Sequence, residues 1–282
     1  MIENNQKQLS AITTFRSLHS SGCFVLPNPW DMGTAVYLQH LGFSALATTS
    51  AGFAFSRALP DQPAAISRAA MLSHIREIAQ VTSLPVNADF QNAYADEPED
   101  VAESVKLCVA TGVSGLSVED STGNKATPLY ESSLAVERVK AARHAIDETG
   151  VPVILTARCE ALLISDAQPL KTAIERLVAY SEAGADCLFA PGVRDPNDIK
   201  QIVKAVAPKP VNVLVFTPDP NLSVARLADL GVRRISVGAA LARVAWAAFI
   251  KAARTIATTG SFEGFADAAS SGDLNGIFRA RL

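Results

Sequence analysis

Cysteine is scarce in this sequence and forms no pattern. Cys23, Cys108, Cys159 and Cys187 are widely spaced and include no CxxC pair. That excludes a disulfide framework or a cysteine zinc site and fits a reduced, cytoplasmic setting. No run of lysine or arginine occurs, and the net charge of −3 is spread along 282 residues, which excludes a nucleic-acid surface. Nor is there a membrane span. The most apolar stretch, Val237–Ile250, is broken by Arg243 and falls short of the about 20 residues a bilayer requires. The polar start, Met1–Ser10, shows no signal peptide. His19, His40, His74 and His144 all fall in helical patterns, so no serine–histidine or cysteine–histidine site is evident.

What is present is a repeated alternation. The hydrophobic content of 49% supports a large core. Apolar strand patterns occur at Phe24–Pro27, Ser44–Thr49, Pro85–Asp89, Gly115–Glu119, Val151–Thr156, Cys187–Ala190, Val211–Phe216 and Arg234–Val237. A leading helix ends at Phe15–His19. Helical patterns then follow the strands, among them Ser67–Val81, Pro98–Thr111, Leu134–Glu148, Leu170–Glu182, Pro196–Val206, Leu222–Leu230 and Ala239–Ala257. Eight βα units predict an α/β fold, a closed (β/α)8 barrel of TIM type, which needs roughly 250 residues. The expectation is a single domain over 1–282, with its core at about 15–258 and a tail from 259 to 282. A doubly wound open sheet is the alternative.

In such a barrel the chemistry lies at the C-terminal ends of the strands. Those ends carry Asn28, Ser50, Asp89, Glu119, Arg158 and Gly192. Long connections, Ser50–Pro63 and Ser121–Glu131, flank the strand that carries Asp89 and are candidates for a lid. Asp89, Glu119 and Asp61 are hard oxygen donors that suit Mg²⁺ bound largely through water. Equally, each acid can cap a helix or pair with Arg158. Arg158 can clamp a substrate carboxylate, or it can simply neutralise Glu119. Ser50-Ala51-Gly52 offers backbone N–H groups and a hydroxyl to an oxyanion. Lys125 can reach the mouth if its loop closes; taken alone it reads as a solvated lysine. Cys159 alternates with Arg158 and should pack under the helices. The last helix carries Leu241, Val244, Trp246, Phe249, Ile250 and Ile256, with Arg243, Lys251 and Arg254 in one narrow stripe. That excess of apolar surface predicts a neighbouring subunit.

Taken in order, several segments resemble the isocitrate lyase / phosphoenolpyruvate mutase superfamily, especially its short bacterial members of methylisocitrate lyase and carboxyvinyl-carboxyphosphonate phosphorylmutase type. They are Leu26-Pro27-Asn28-Pro29-Trp30-Asp31, Thr49-Ser50-Ala51-Gly52 with Leu59-Pro60-Asp61, Ala88-Asp89 before Tyr94, and Val118-Glu119-Asp120-Ser121. The series continues with Thr156-Ala157-Arg158-Cys159-Glu160-Ala161, Phe189-Ala190-Pro191-Gly192 and Val211-Asn212-Val213. The resemblance runs from Phe15 to about Phe262. It implies a barrel that binds Mg²⁺ or Mn²⁺ and a small 2-oxo acid, and that makes or breaks a C–C or P–C bond through an enolate-like species. By position, Asp89 would be the principal metal carboxylate, with Asp61 and Glu119 acting through water and Asn87 beside them. Trp30, Ser50, Ala51, Gly52, Arg158 and Asn212 would face the substrate. Arg158, Glu119, Lys125 and Tyr94 would serve catalysis. The resemblance also implies a homotetramer, a dimer of dimers, with the last helix swapped between subunits.

Three departures from the family pattern matter. The loop after strand four, Ser121 to Pro128, holds neither the cysteine nor the histidine of the lyase branches, and Lys125 stands near the lysine of the mutase branch. Asn87 replaces an acid. Ala93 and Ala95 flank Tyr94 where glycines are usual. The expected function is a Mg²⁺-dependent lyase acting on a small 2-oxo or 2-hydroxy (di)carboxylate, by C–C cleavage or decarboxylation, with no nucleic-acid or membrane partner. The rivals are phosphonopyruvate mutase or hydrolase chemistry, and an oxo-acid-binding barrel without catalysis. Without the lid cysteine, protonation falls to Tyr94 or a metal-bound water, the enolate is released and protonates in solution, or the enzyme does not cleave C–C bonds; the first two are favoured jointly. Isocitrate and methylisocitrate should then be poorer substrates than oxaloacetate.

Overall fold

Short apolar strands alternate with amphipathic helices along the chain, and the strands close on one another. The computed structural model describes residues 2–62, 64–164 and 167–280. Met1, Pro63 at the end of the first long connection, and the last two residues of the tail lie outside the described residues. The strands are β1 (Phe24–Leu26), β2 (Leu46–Ala47), β3 (Val86–Asp89), β4 (Gly115–Glu119), β5 (Ile154–Arg158), β6 (Cys187–Phe189), β7 (Val211–Leu214) and β8 (Arg234–Ser236). The helices are α1 (Ile2–Ser20), α2 (Met32–His40), α3 (Ser50–Ser56), α4 (Arg68–Val81), α5 (Pro98–Val109) and α6 (Ser132–Thr149). They continue with α7 (Pro169–Glu182), α8 (Pro196–Val206), α9 (Val224–Asp229), α10 (Ala240–Thr259) and α11 (Ser271–Arg279).

All strand pairs are parallel, in the order β1-β8-β7-β6-β5-β4-β3-β2. The seam between β1 and β2 is drawn together where Ala47 N–H donates to the Pro27 carbonyl at 3.0 Å and Asn28 Nδ2 donates to the Thr48 carbonyl at 2.8 Å. The result is a nearly closed (β/α)8 barrel, as expected, rather than an open sheet. Local chemistry explains the starts of the helices. Asp31 and Thr34 form a reciprocal capping box at α2, and Asp195 caps α8 ahead of Pro196.

Boundaries differ from expectation where side chains intervene. The connection after β2 is not simply a loop, because the Thr49 hydroxyl accepts from Gly52 N–H and starts α3 directly at the strand end. β2 itself is only two residues long. Ser223 caps α9, so that helix begins at Val224 rather than Leu222. The tail is partly helical, and α11 packs against α2.

The bottom of the barrel is plugged by α1. Phe15 is buried with Leu26, Ala45, Ala47, Ile154 and Cys187, and Leu18 and Phe24 pack against them. Gly115 makes this possible, since a Cβ there would fall 2.8 Å from Phe15 and 2.9 Å from Asn87 Oδ1. At the other extreme, α10 buries only Ala242. Val244 and Phe249 are 68% and 60% exposed, so the apolar excess read from the sequence does face outward in one chain. Among the described residues no helix is long and apolar enough to cross a membrane.

Candidate active site

β3 and β5 place the two central groups. Asp89 Oδ2 accepts from Ser50 N–H at 2.9 Å and from the Ser50 hydroxyl at 2.8 Å. Its backbone N–H donates to Thr48 Oγ1 at 2.9 Å. Arg158 Nη1 lies 3.5 Å from Asp89 Oδ1 and 3.3 Å from Glu119 Oε2. The second contact follows from strand register, which sets Glu119 directly opposite Arg158. Arg158 Nε donates to Glu160. Burial alone would lower the Arg158 pKa, but Glu160, Glu119 and Asp89 outweigh it and hold the guanidinium protonated. As alternation requires, Asp120 turns the other way, accepting from the Tyr180 hydroxyl at 2.6 Å and from Arg176 at 3.2 Å. Cys159 is buried likewise, and burial pushes its thiol up, so it is no nucleophile.

Asp89 and Arg158 border a cavity of about 280 Å³ that also takes in Asn28, Ser50, Ala51, Asp61, Asn87 and Asn212. Of the strand ends expected to converge, Asn28, Ser50, Asp89 and Arg158 line this cavity, whereas Gly192 packs against Leu162 and Leu163 and does not line it. Glu119 reaches it through Arg158 and borders an adjoining pocket with Tyr94. Gly52 is placed differently from expectation: its N–H is committed to Thr49 Oγ1, and a Cβ there would fall 2.6 Å from Thr49 Cγ2 and 3.1 Å from Trp30 Cβ. Close packing is thus what calls for glycine at this position. Trp30 packs on that turn and is not among the lining residues.

The expected gathering of three acids about one point is narrowed by Arg158, which occupies the space between Asp89 and Glu119. Among the described residues, no three His, Cys, Asp or Glu side chains converge closely enough to hold an ion by themselves. The acids are nevertheless short of positive charge. Burial pushes Glu119 up to about 8; Arg158 pulls it back, while Glu160, Asp89 and Asp120 add to the rise. Burial and then Asp89 raise Asp61. Such a donor set fits Mg²⁺ or Mn²⁺ held by Asp89, with Asp61 and Glu119 acting through water, rather than an all-protein cage. Asn87 does not fit as a ligand. Its Oδ1 faces Arg234 at 3.4 Å, and its Nδ2 donates to the Ala88 carbonyl at 3.1 Å.

Tyr94 sits on a strained loop after β3. Gln91, Ala93 and Tyr94 have φ of 48°, 62° and 57°, in a region where L side chains are disfavoured. Arg138 of α6 holds the loop, donating to the carbonyls of Asn92 at 2.7 Å and Ala95 at 2.6 Å and lying 4.0 Å over the Tyr130 ring. The Tyr130 hydroxyl donates to Asp96 and accepts from Asn92 at 3.0 Å. The Tyr94 hydroxyl is buried and has no hydrogen-bond partner among the described residues. Burial, then Asp89 and Glu119, raise its pKa, so it is a neutral phenol beside the carboxylates.

Lys125 does not reach the mouth; it is exposed on the lid. The lid folds back on itself. Ser121 bridges Leu129, Thr122 N–H donates to the Pro128 carbonyl, and Tyr130 N–H donates to the Asp120 carbonyl, each at 3.0 Å. Sequence reasoning missed Glu160, Arg138, Ser236 and Arg234. Period-two alternation within Arg234-Ile235-Ser236 was the one available signal that Arg234 and Ser236 share a face.

The chain matches the phosphoenolpyruvate phosphomutase family over residues 15–257. It is similar in structure to a lyase/mutase-class protein of Burkholderia cenocepacia J2315, at 45% identity and TM-score 0.91, with 97% of each chain covered. It is 32% identical to 2-methylisocitrate lyase of Escherichia coli (strain K12), over 72% of this chain and 73% of that one. It is 31% identical to oxaloacetate decarboxylase of Pseudomonas savastanoi pv. phaseolicola, over 78% of this chain and 75% of that one.

Proposed function

Because the chain belongs to the phosphoenolpyruvate phosphomutase family, within a superfamily of lyases and mutases, we propose that it is a divalent-metal-dependent lyase that cleaves or decarboxylates a small 2-oxo acid, with oxaloacetate the leading candidate. The observation that carries this reading is the Asp89–Arg158–Glu119 cluster at the mouth of a small cavity. The lid beside it contains no thiol or imidazole between Ser121 and Glu131.

In the decarboxylation, the C3–C4 bond of oxaloacetate breaks and carbon dioxide leaves. The bonding pair moves into the 2-oxo group to give the enolate of pyruvate, and a proton added at C3 completes pyruvate. The cation, when bound, draws electron density toward the 2-oxo oxygen. The residues of the chain arrange the rest. Ser50 fixes the orientation of Asp89 through two hydrogen bonds to one carboxylate oxygen. Arg158, kept protonated by its three acids, offers charge-assisted bonds to a substrate carboxylate. Tyr94, the neutral phenol of the adjoining pocket, is the candidate proton donor.

The test is a panel assay with Mg²⁺ on oxaloacetate, isocitrate, 2-methylisocitrate and phosphonopyruvate, the last followed by phosphorus NMR. Oxaloacetate is expected to turn over fastest. Isocitrate cleavage at an equal or higher rate would overturn the substrate assignment, and loss of the P–C bond in phosphonopyruvate would transfer the enzyme to the mutase or hydrolase branch. Asp89→Ala is expected to abolish Mg²⁺-dependent oxalate binding in calorimetry while the fold survives; unchanged affinity would place the metal elsewhere.

A further inference from the structure

Below Asp89 the cavity continues to a floor that none of the roles above accounts for. Arg234 of β8 is 2% exposed and lines the cavity. Its Nε donates to Asn212 Oδ1 at 3.0 Å, and its Nη1 approaches Asn87 Oδ1 at 3.4 Å and His19 Nε2 at 3.5 Å. All three partners are uncharged at neutral pH; burial and the positive charge of Arg234 hold His19 down to about 3. Among the described residues Arg234 forms no ion pair, whereas Arg158 is shared by three carboxylates. A buried cation without a counter-charge is unfavourable, and such groups are normally paired.

The surroundings are built to receive something. Asn212 Nδ2 donates to Ser236 Oγ at 2.9 Å, and the Ser236 proton has no acceptor among the described residues. Asn87, Asn212 and Ser236 are all buried lining residues at this level. The floor thus combines a fixed guanidinium, a free hydroxyl donor and no acid. The mouth above it holds Arg158. Arg243 also lines the cavity but is exposed, so among the described residues Arg234 is its one buried cation without an acid, and cations at two depths match a ligand with an anionic group at each end.

We propose that Arg234 and Ser236 form an anion subsite on the barrel floor, and that the enzyme selects dicarboxylates by seating one carboxylate there while the other meets Arg158. This rests on the oxo-acid reading above for the ligand class, but it concerns binding and stands or falls separately from turnover. Asn212 orients the pair, holding the guanidinium with its oxygen and the serine with its nitrogen.

The test is calorimetric titration, with Mg²⁺ present, of 2-oxoglutarate against 2-oxopentanoate, which differ only in the far carboxylate. The wild-type protein is expected to bind the dicarboxylate at least about 10-fold more tightly. Arg234→Gln should abolish that preference, and Arg234→Lys should retain part of it. Because replacement of a buried arginine can disturb folding, Asn87→Asp provides a second route. It sets a carboxylate beside Nη1, neutralises the floor from within and should also erase the preference in a folded protein. Equal affinity of wild type for the two acids, failure to bind either, or a preference that survives both Arg234→Gln and Asn87→Asp would overturn the subsite. Lack of oxaloacetate turnover with the preference intact would overturn the proposed reaction and leave the subsite standing.

Discussion

Tyr94 carries the clearest residue-scale expectation. Its hydroxyl is buried, makes no hydrogen bond among the described residues, and stands beside Asp89 and Glu119. Tyr94→Phe removes one oxygen and no recorded bond, so thermal stability should hold or rise slightly, since an unsatisfied buried hydroxyl is itself costly. If the phenol delivers the proton to carbon, kcat on oxaloacetate should fall by about 10²- to 10⁴-fold. An unchanged kcat would assign protonation to another group. At this scale the sequence was partly legible. Asp89, Glu119 and Arg158 stood out as charges ending apolar strands, which burial alone does not explain. Arg234 follows Arg233 at the opening of a strand and reads as rim charge; only closure of the barrel turns it inward. Asn87 was legible as a replacement, but its carboxamide oxygen is claimed by a side chain 147 residues away, which no local pattern reveals.

At the scale of elements, α3 and α4 meet through an aromatic stack. His74 of α4 lies face to face with Phe53 of α3, with ring centroids 3.8 Å apart. Burial holds His74 down to about 4, with Asp31 raising and Arg57 lowering it further. Below the ordinary value of 6.5 the unfolded chain takes up a proton that the folded chain refuses until about pH 4, so acid removes stability through this group. Between pH 6.5 and 5 that amounts to about 2 kcal/mol. His74→Phe should therefore gain about that much relative to wild type over the same interval in denaturant melts; a pH-independent difference would show that the imidazole is not held neutral. The same two helices mark where sequence reading stopped. The α4 pattern was plain, whereas α3 hid behind Ser50-Ala51-Gly52, small residues that also suit a turn. The deciding bond, from Gly52 N–H to the Thr49 hydroxyl, is a choice between two local structures that composition does not make.

For the whole molecule, the barrel was legible because the βα alternation continues for the length of the chain and β-strands buried on both faces read as unbroken apolar runs. The expected partner subunit was legible only as surplus apolar surface. Trp246 and Phe249 of α10 pack edge to face at 5.4 Å yet remain exposed, and Phe262 and Phe265 beyond the helix are exposed as well. A patch of this kind marks an association surface. The protein should therefore sediment and scatter as a dimer or tetramer. A monomeric mass at micromolar concentration would refute the association, and Phe249→Lys with Val244→Lys should shift an oligomer toward monomer.

The plug formed by α1 has a consequence for traffic. Phe15 fills the hollow that Gly115 leaves, and His19 stands 3.5 Å behind Arg234, so the space within the strands is a blind well rather than a pore. Whatever enters at the open mouth must leave by it. A retained product therefore blocks the next arrival.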